Sequence, residues 1–430
     1  MRFFIWLFGL VPLINATLYI PTTWQDVLYP RDFIWPAKVP QVILDTDHPW
    51  LSTNKKWLYR YPNVRSAICN KDSDLWTNPT TPDRALPSDL LERISIDNNK
   101  YGVQRYGWKN AVDRLKELKD CPAALESAID FYIDIFVYDT KHHKHKEDTL
   151  PPKELPHLFA DVLYKMPRLE TLRWGIRPES TDSFNAAFLK ANVTLPKLKN
   201  LVAGGYSEWL IPRCPNLERL TMGDYFDDPD PQWKEGDDPA LRRGRSRLAF
   251  LNSTRGLPLQ SIQMSSGSWD TTWMQCFEVL LQVQPSISTI EMDNDLYRGA
   301  EWSDDPGKLK EHLEYLSRFS NLTSLRLPRV PGLGLGFDGG AWCGNAYEGV
   351  DGRAYGRSVM QERAEVEERA GEIVLEVLPR LEQLRIGSSQ PNITVNKEGK
   401  KELVWPWTGR MREYTYEGFP EIEFDSMNDR

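Results

Sequence analysis

Apolar positions recur along this chain in two rhythms. The first is a short phrase, apolar-x-x-apolar-x-apolar, whose last two apolar residues alternate as in a strand with one buried face. It reads Leu169-x-x-Leu172-x-Trp174, Leu198-x-x-Leu201-x-Ala203, Leu217-x-x-Leu220-x-Met222 and Leu259-x-x-Ile262-x-Met264. Three further copies are Ile287-x-x-Ile290-x-Met292, Leu322-x-x-Leu325-x-Leu327 and Leu381-x-x-Leu384-x-Ile386. In five of the seven, a proline stands two residues before the first apolar position, as Pro167, Pro196, Pro215, Pro285 and Pro379.

The second rhythm is helical and fills the gaps. Leu158-Phe159-x-x-Val162-Leu163, Phe184-x-x-x-Phe188-Leu189 and Met274-x-Cys276-Phe277-x-Val279-Leu280 each precede a strand phrase. Leu309-x-x-x-Leu313-x-x-Leu316 and Ile373-Val374-x-x-Val377 do so later. A helix, a proline-marked turn and a short strand therefore recur, a unit too small to bury its own apolar face and stabilised only by stacking on neighbours. Ile129-x-Phe131-x-Ile133-x-Ile135-x-Val137 alternates likewise, after Cys121-Pro122, and is expected to open the same sheet.

These phrases resemble the leucine-rich repeat superfamily over roughly residues 160–390. Two features depart from its usual pattern. The asparagine that commonly follows the strand is replaced by Arg177, Tyr206, Tyr225, Gly267, Asp295, Val330 and Ser389, and the copies are irregularly spaced. The pattern is closer to the long helix-containing repeats of ribonuclease-inhibitor-like proteins and F-box protein tails, especially divergent fungal ones. The resemblance implies an α/β solenoid with a curved parallel sheet, helices on its convex side and an N-terminal capping region. The expected organisation is a signal peptide at 1–16, a flank at 17–115, the solenoid at 116–390 and a tail at 391–430. Leu86-Pro87-Ser88-Asp89-Leu90-Leu91-Glu92-Arg93-Ile94 resembles the first line of an F-box helix, but a polar, Gly-rich stretch follows; an ordinary capped helix is the expectation.

The first sixteen residues, MRFFIWLFGLVPLINA, combine Arg2, an apolar run and the small Ala16, which is the pattern of a secretory signal peptide. The run is too short to span a bilayer, and no second long apolar run follows. Asn192, Asn252, Asn321 and Asn392 each begin a glycosylation sequon, the complement of a secreted reading. A net charge of −8 disfavours general binding to nucleic acid or anionic membrane.

Five cysteines show no metal-ligand spacing. The slot before the marker proline holds Cys121, Met166, Leu195, Cys214 and Leu378, with Gln284 the exception, so Cys121 and Cys214 read as small buried hydrophobes. Cys276 lies on an apolar helix; a Cys69–Cys121 bridge is the alternative the secreted setting permits. His142, His143 and His145 are interleaved with lysines that oppose a cation, so no metal or other cofactor is expected. Gly334-x-Gly336-x-x-Gly339 follows a strand but lacks the rest of a dinucleotide fingerprint; it reads as a Gly-rich insertion, 331–356, within one unit.

Segments leaving the strand ends are aromatic and acidic. Tyr225, Phe226, Trp269, Asp270, Tyr297, Trp302, Phe337 and Trp342 are the candidate binding residues there. The alternative is that these rings pack long loops onto the units. No catalytic residues are singled out by spacing. The expected function is secreted, non-catalytic recognition of a protein, or of a glycan, through the concave sheet and this rim. An extracellular carbohydrate- or peptide-active enzyme using acidic loop residues is one alternative, and a cytosolic F-box-type adaptor is the other.

Overall fold

Every copy of the strand phrase forms a strand, and successive copies pair side by side. The computed structural model describes residues 69–70, 91–97, 108–135, 150–176, 180–223, 247–265, 271–293, 306–337, 339–341 and 343–407. The chain divides into two units, Met1–Leu51 with Lys55–Ser88 and Ser52–Asn54 with Asp89–Arg430. Cys69 and Asn70 are the described part of the first, and every element below lies in the second.

The strands are β1 (Arg93–Asp97), β2 (Asp130–Ile135), β3 (Thr171–Ile176), β4 (Asn200–Ala203) and β5 (Arg219–Met222). They continue with β6 (Ser261–Ser265), β7 (Thr289–Asp293), β8 (Ser324–Leu327) and β9 (Gln383–Ile386). All nine form one parallel sheet whose spatial order is the chain order. Leu172, Leu201, Leu220, Ile262, Ile290, Leu325 and Leu384, the second apolar residue of each phrase, are successive register partners. Ile94 and Phe131 extend that row through the first two strands.

Two repeated hydrogen-bond devices explain the register. The proline occupies the second position of a four-residue turn, where its fixed φ is favourable. Its flanking residues close that turn: the N–H of Leu169 donates to Met166 O at 3.3 Å, Leu198 to Leu195 at 3.1 Å and Leu217 to Cys214 at 3.1 Å. Ile287 donates to Gln284 at 3.3 Å and Leu381 to Leu378 at 3.1 Å; Leu322 makes the same bond to Phe319 with Ser320 in place of proline. One carbonyl then accepts two consecutive N–H groups from the next unit at every junction. Ile129 O takes the N–H of Glu170 and of Thr171, both at 2.9 Å, and the pattern runs on to Thr323 O, which takes Glu382 and Gln383.

The helices are α1 (Lys109–Lys119), α2 (Pro122–Ser127), α3 (Glu154–Tyr164), α4 (Thr181–Lys190), α5 (Thr271–Val283), α6 (Pro306–Ser317) and α7 (Gly349–Val377). Each lies in a connection, and neighbours touch in the series α1–α3–α4 and α5–α6–α7. Trp174 of β3 fixes which side of the sheet they cover. Its ring lies 5.3 Å from Phe159 of α3, 5.4 and 5.6 Å from Phe184 and Phe188 of α4, and 5.9 Å from Trp209, all edge-on. Such edge contacts are favourable for aromatic rings and place the core between sheet and helices.

Three differences from the sequence expectation have physical causes. Leu91–Ile94 is a turn and strand start rather than a helix: Ile94 and Ile96 alternate with Arg93 and Ser95 and pair with β2, so the sheet opens one strand before Ile129. Helix α7 runs for 29 residues, where only Ile373–Val377 shows clear periodicity. In its first turns Gly349 adopts a left-handed φ of 70°, and Gly352 lies against the loop before the helix, where a Cβ would sit 2.3 Å from the backbone carbon of Tyr347. Within the segment expected to be a tail, β10 (Asn392–Val395) and β11 (Lys401–Val404) form an antiparallel hairpin. Trp405 and Trp407 stack at 5.0 Å after it, and Trp407 Nε1 donates to Glu368 of α7 at 3.0 Å.

Candidate functional site

The strand phrase itself points to the open face. In a strand, alternate side chains face opposite sides, so the residue between the last two apolar positions faces away from the helices. Those residues are Arg173, Val202, Thr221, Gln263, Glu291, Arg326 and Arg385, and they are register partners from β3 to β9. Ser95 and Tyr132 continue the row on β1 and β2. A parallel row one pleat earlier carries Arg93, Asp130, Thr171, Asn200, Arg219, Ser261, Thr289, Ser324 and Gln383.

Most of these side chains are half-buried or exposed, and they contact one another across strands. The Arg173 guanidinium lies 5.0 Å from the Tyr132 ring centre, a cation–π arrangement. Tyr132 Oη donates to the Asp134 carboxylate at 3.2 Å. Asn200 Nδ2 donates to Thr171 Oγ1 at 3.2 Å, and Thr221 Oγ1 to Gln263 Oε1 at 3.4 Å. Arg326 Nη1 lies 3.7 Å from Glu291 Oε2, and Ser324 Oγ donates to Gln383 Oε1 at 3.4 Å. Gly175 keeps the surface low beside Asp134: a Cβ there would come 2.9 Å from Ile133 O. Burial pushes the Asp130 carboxyl above its usual range, against the opposing pull of Arg93.

This face offers hydrogen-bond donors, acceptors and guanidinium groups in a ladder spaced about 4.8 Å from strand to strand. That suits an extended or broad partner more than a small molecule. Every described cation on it is arginine, the side chain that makes bidentate and stacked contacts. Among the described carboxylates of the strands, Asp130 and Asp134 are four residues apart on one strand, about 13 Å, and Glu291 lies five strands from Asp134, while Asp97 of β1 is the register partner of Asp134. Among the described residues no group of His, Cys, Asp and Glu is arranged to hold a metal, and no helix is long and apolar enough to cross a membrane.

Of the candidate rim residues, Phe337 is described, and its ring is buried at 5% exposure within the insertion. Tyr225, Phe226, Trp269, Asp270, Tyr297, Trp302 and Trp342 lie outside the described residues, as do residues 1–16 and the histidine run at 142–145. Asn192, Asn252, Asn321 and Asn392 are all exposed. Cys69 and Cys121 are disulfide-bonded, and Cys214, Cys276 and Cys343 carry thiols. Cys121 is thus both a buried residue of the turn slot and a bonded one. Cys214 is fully buried, and burial raises its thiol to about 12. Gln284, the polar exception in the slot, is buried too and donates to the backbone oxygens of Thr254 and Leu257, the latter at 3.2 Å.

The open-face residues were absent from the sequence candidates, although their signal was in plain view as the variable positions inside the phrase. No protein-family model matches the chain, and no curated protein shows a significant match to it.

Proposed function

We propose that this chain is a secreted, non-catalytic recognition protein built as a leucine-rich-repeat-like solenoid. It binds a protein partner across the open sheet face, with the aromatic and acidic loops that leave the strand ends forming a rim. The observation that carries this reading is the in-register stacking of nine strands with one apolar face under helices and one polar face bearing cross-strand pairs. A stacked array exposes an extended surface on which each unit contributes one or two variable side chains. The repeat family to which the phrases are similar, the leader-like N-terminus and the four sequons support the same assignment.

The test compares the wild-type chain with Arg173→Glu and Thr221→Lys as bait against culture or host extract. Both substitutions are on the open face and leave the core untouched. A protein captured by wild type and lost from folded variants supports the reading; capture that is indifferent to both overturns the face. Binding to a glycan array with no protein captured changes the partner class to carbohydrate. Turnover of a glycan or peptide would replace recognition by enzymatic activity, and an uncleaved cytosolic chain would favour the adaptor reading.

A further inference from the structure

Three of the sequon asparagines occupy one part of the fold. Asn192 follows α4 and precedes β4, Asn252 ends the helical turn at 247–252 before β6, and Asn321 lies between α6 and β8. All three are therefore in helix-to-strand connections, at the edge where the strands begin. Asn392 opens β10, beyond the last strand of the sheet. No strand of the sheet carries a sequon; Asn392 follows the C-terminal end of β9, and Asn98, Asn99, Asn294 and Asn345, after the ends of other strands, carry none.

We propose that Asn192, Asn252 and Asn321 carry N-linked glycans ranged along the strand-beginning edge, leaving the open face bare. The proposal rests on the secreted reading above. The acceptor chemistry is a transfer from a diphosphate-activated oligosaccharide. The asparagine Nδ2 forms a bond to the anomeric carbon as the carbon–oxygen bond to diphosphate breaks; diphosphate leaves with the bonding pair and one amide proton passes to a base. The remaining amide N–H keeps its donor capacity. At Asn252 this matters, because Nδ2 donates to Leu248 O at 3.0 Å and one N–H suffices for that bond.

Local structure alone accounts for part of the pattern. Asn192 has φ +50°, a left-handed position that favours asparagine, and ends α4 with its N–H bonded to Leu189 O at 3.1 Å. Asn321 is the third residue of the Phe319–Leu322 turn, another place where asparagine is common. Neither role requires a hydroxyl two residues later, yet Thr194 and Thr323 stand there. At the third site Thr254 is buried with its hydroxyl on Leu251 O at 2.7 Å, so that hydroxyl has a structural use as well. Glycans are bulky and hydrophilic and must project into solvent, which all three exposed asparagines permit.

The experiment is expression from a secreting eukaryotic host with the native N-terminus. Secreted protein is sequenced from its N-terminus, and its peptides are mapped after enzymatic deglycosylation in heavy-oxygen water. An isotopic mark at Asn192, Asn252 and Asn321, with one mobility step lost for each of Asn192→Gln, Asn252→Gln and Asn321→Gln, is the expected result. A cleaved, secreted chain bare at these asparagines overturns the glycan edge and leaves the recognition reading standing. A chain retained uncleaved inside the cell overturns both.

Discussion

The two faces of the nine-stranded sheet are made from the same strands and obey different rules. On the helix side the register rows read Ile94, Phe131, Leu172, Leu201 and onward, all apolar and all buried. On the open side the adjacent row changes chemistry at almost every strand, from tyrosine to arginine, valine, threonine, carboxamide and carboxylate. Stacking demands one kind of residue on the first face and places no such demand on the second. The helix side is therefore the constant part of the unit, and the open side is where one unit differs from the next. Substitutions that respect one face and not the other measure how complete that division is.

The largest effect is expected at Trp174, wedged among Phe159, Phe184, Phe188 and Trp209. Trp174→Ala should cost about 3–5 kcal/mol of stability in urea unfolding, because surrounding rings on two helices cannot collapse into the space. Thr221→Ala, on the open face, should change stability by no more than about 0.5 kcal/mol. Comparable losses at both positions would erase the distinction between the faces.

Gln284→Leu comes next. It restores the apolar character of the slot but removes the carboxamide's bonds to Leu257 O and to Thr254 O, the latter keeping the Leu257 N–H as a donor. A loss of about 1–3 kcal/mol is expected, the net contribution of two hydrogen bonds at about 0.5–1.5 kcal/mol each. A stabilised variant would mean that the slot prefers an apolar side chain even there.

Binding gives a third contrast. Gln263→Asn completes a sequon with Met264 and Ser265 in the middle of the open face, and Arg219→Asn does the same with Leu220 and Thr221. A glycan at either position should weaken capture of the partner at least about tenfold, a change of about 1.4 kcal/mol, with unchanged unfolding. Removing the sequons at Asn192, Asn252 and Asn321 should leave capture unaltered.

The division also explains what the sequence made legible. Seven strands and five of the helices before them could be located because stacking forces apolar residues into fixed spacings, and the proline turns fix where each unit begins; β2 showed by its own alternation. Strand β1 was hidden because RISID contributes only two apolar residues, too few to set a period against the helical spacing of Leu90, Leu91 and Ile94. The first half of α7 was hidden because close approach to Tyr347 selects glycine at 352, which reads as a loop. Open-face residues have no pattern of their own, so they were legible only as the gaps in someone else's. Of the aromatic rim, only Phe337 can be compared, and its burial shows one such ring packing its own loop.

The thiols report on the same layering with a smaller effect. Cys343 is exposed in the insertion and should react at once with a thiol reagent in the native protein. Cys214 and Cys276 are buried, and the Cys214 thiol is held protonated by burial with its value raised to about 12. Their labelling should wait for unfolding. Immediate labelling of all three would mean that the helix layer opens readily.

The smallest effect tests whether the buried layer tolerates charge. Glu367 on α7 is 1% exposed, and burial raises its carboxyl above the ordinary 4.5 despite the opposing pull of Arg363, whose Nε donates to it at 2.9 Å. A folded-state value above the unfolded one means that the folded chain holds the proton more tightly. The stability this confers is fully present below pH 4.5 and is lost as pH rises through the raised folded value. Exposed carboxylates such as Glu278, lowered by its bond to Arg318, act in the opposite direction, so the raw pH profile mixes the two. Subtracting the profile of Glu367→Gln isolates the buried group. The variant should match wild type in acid and gain on it as pH approaches neutral, read as a rising difference in denaturant midpoint. A flat difference would show that Arg363 compensates the charge fully, and that the helix side of the sheet is less strictly apolar than its rows imply.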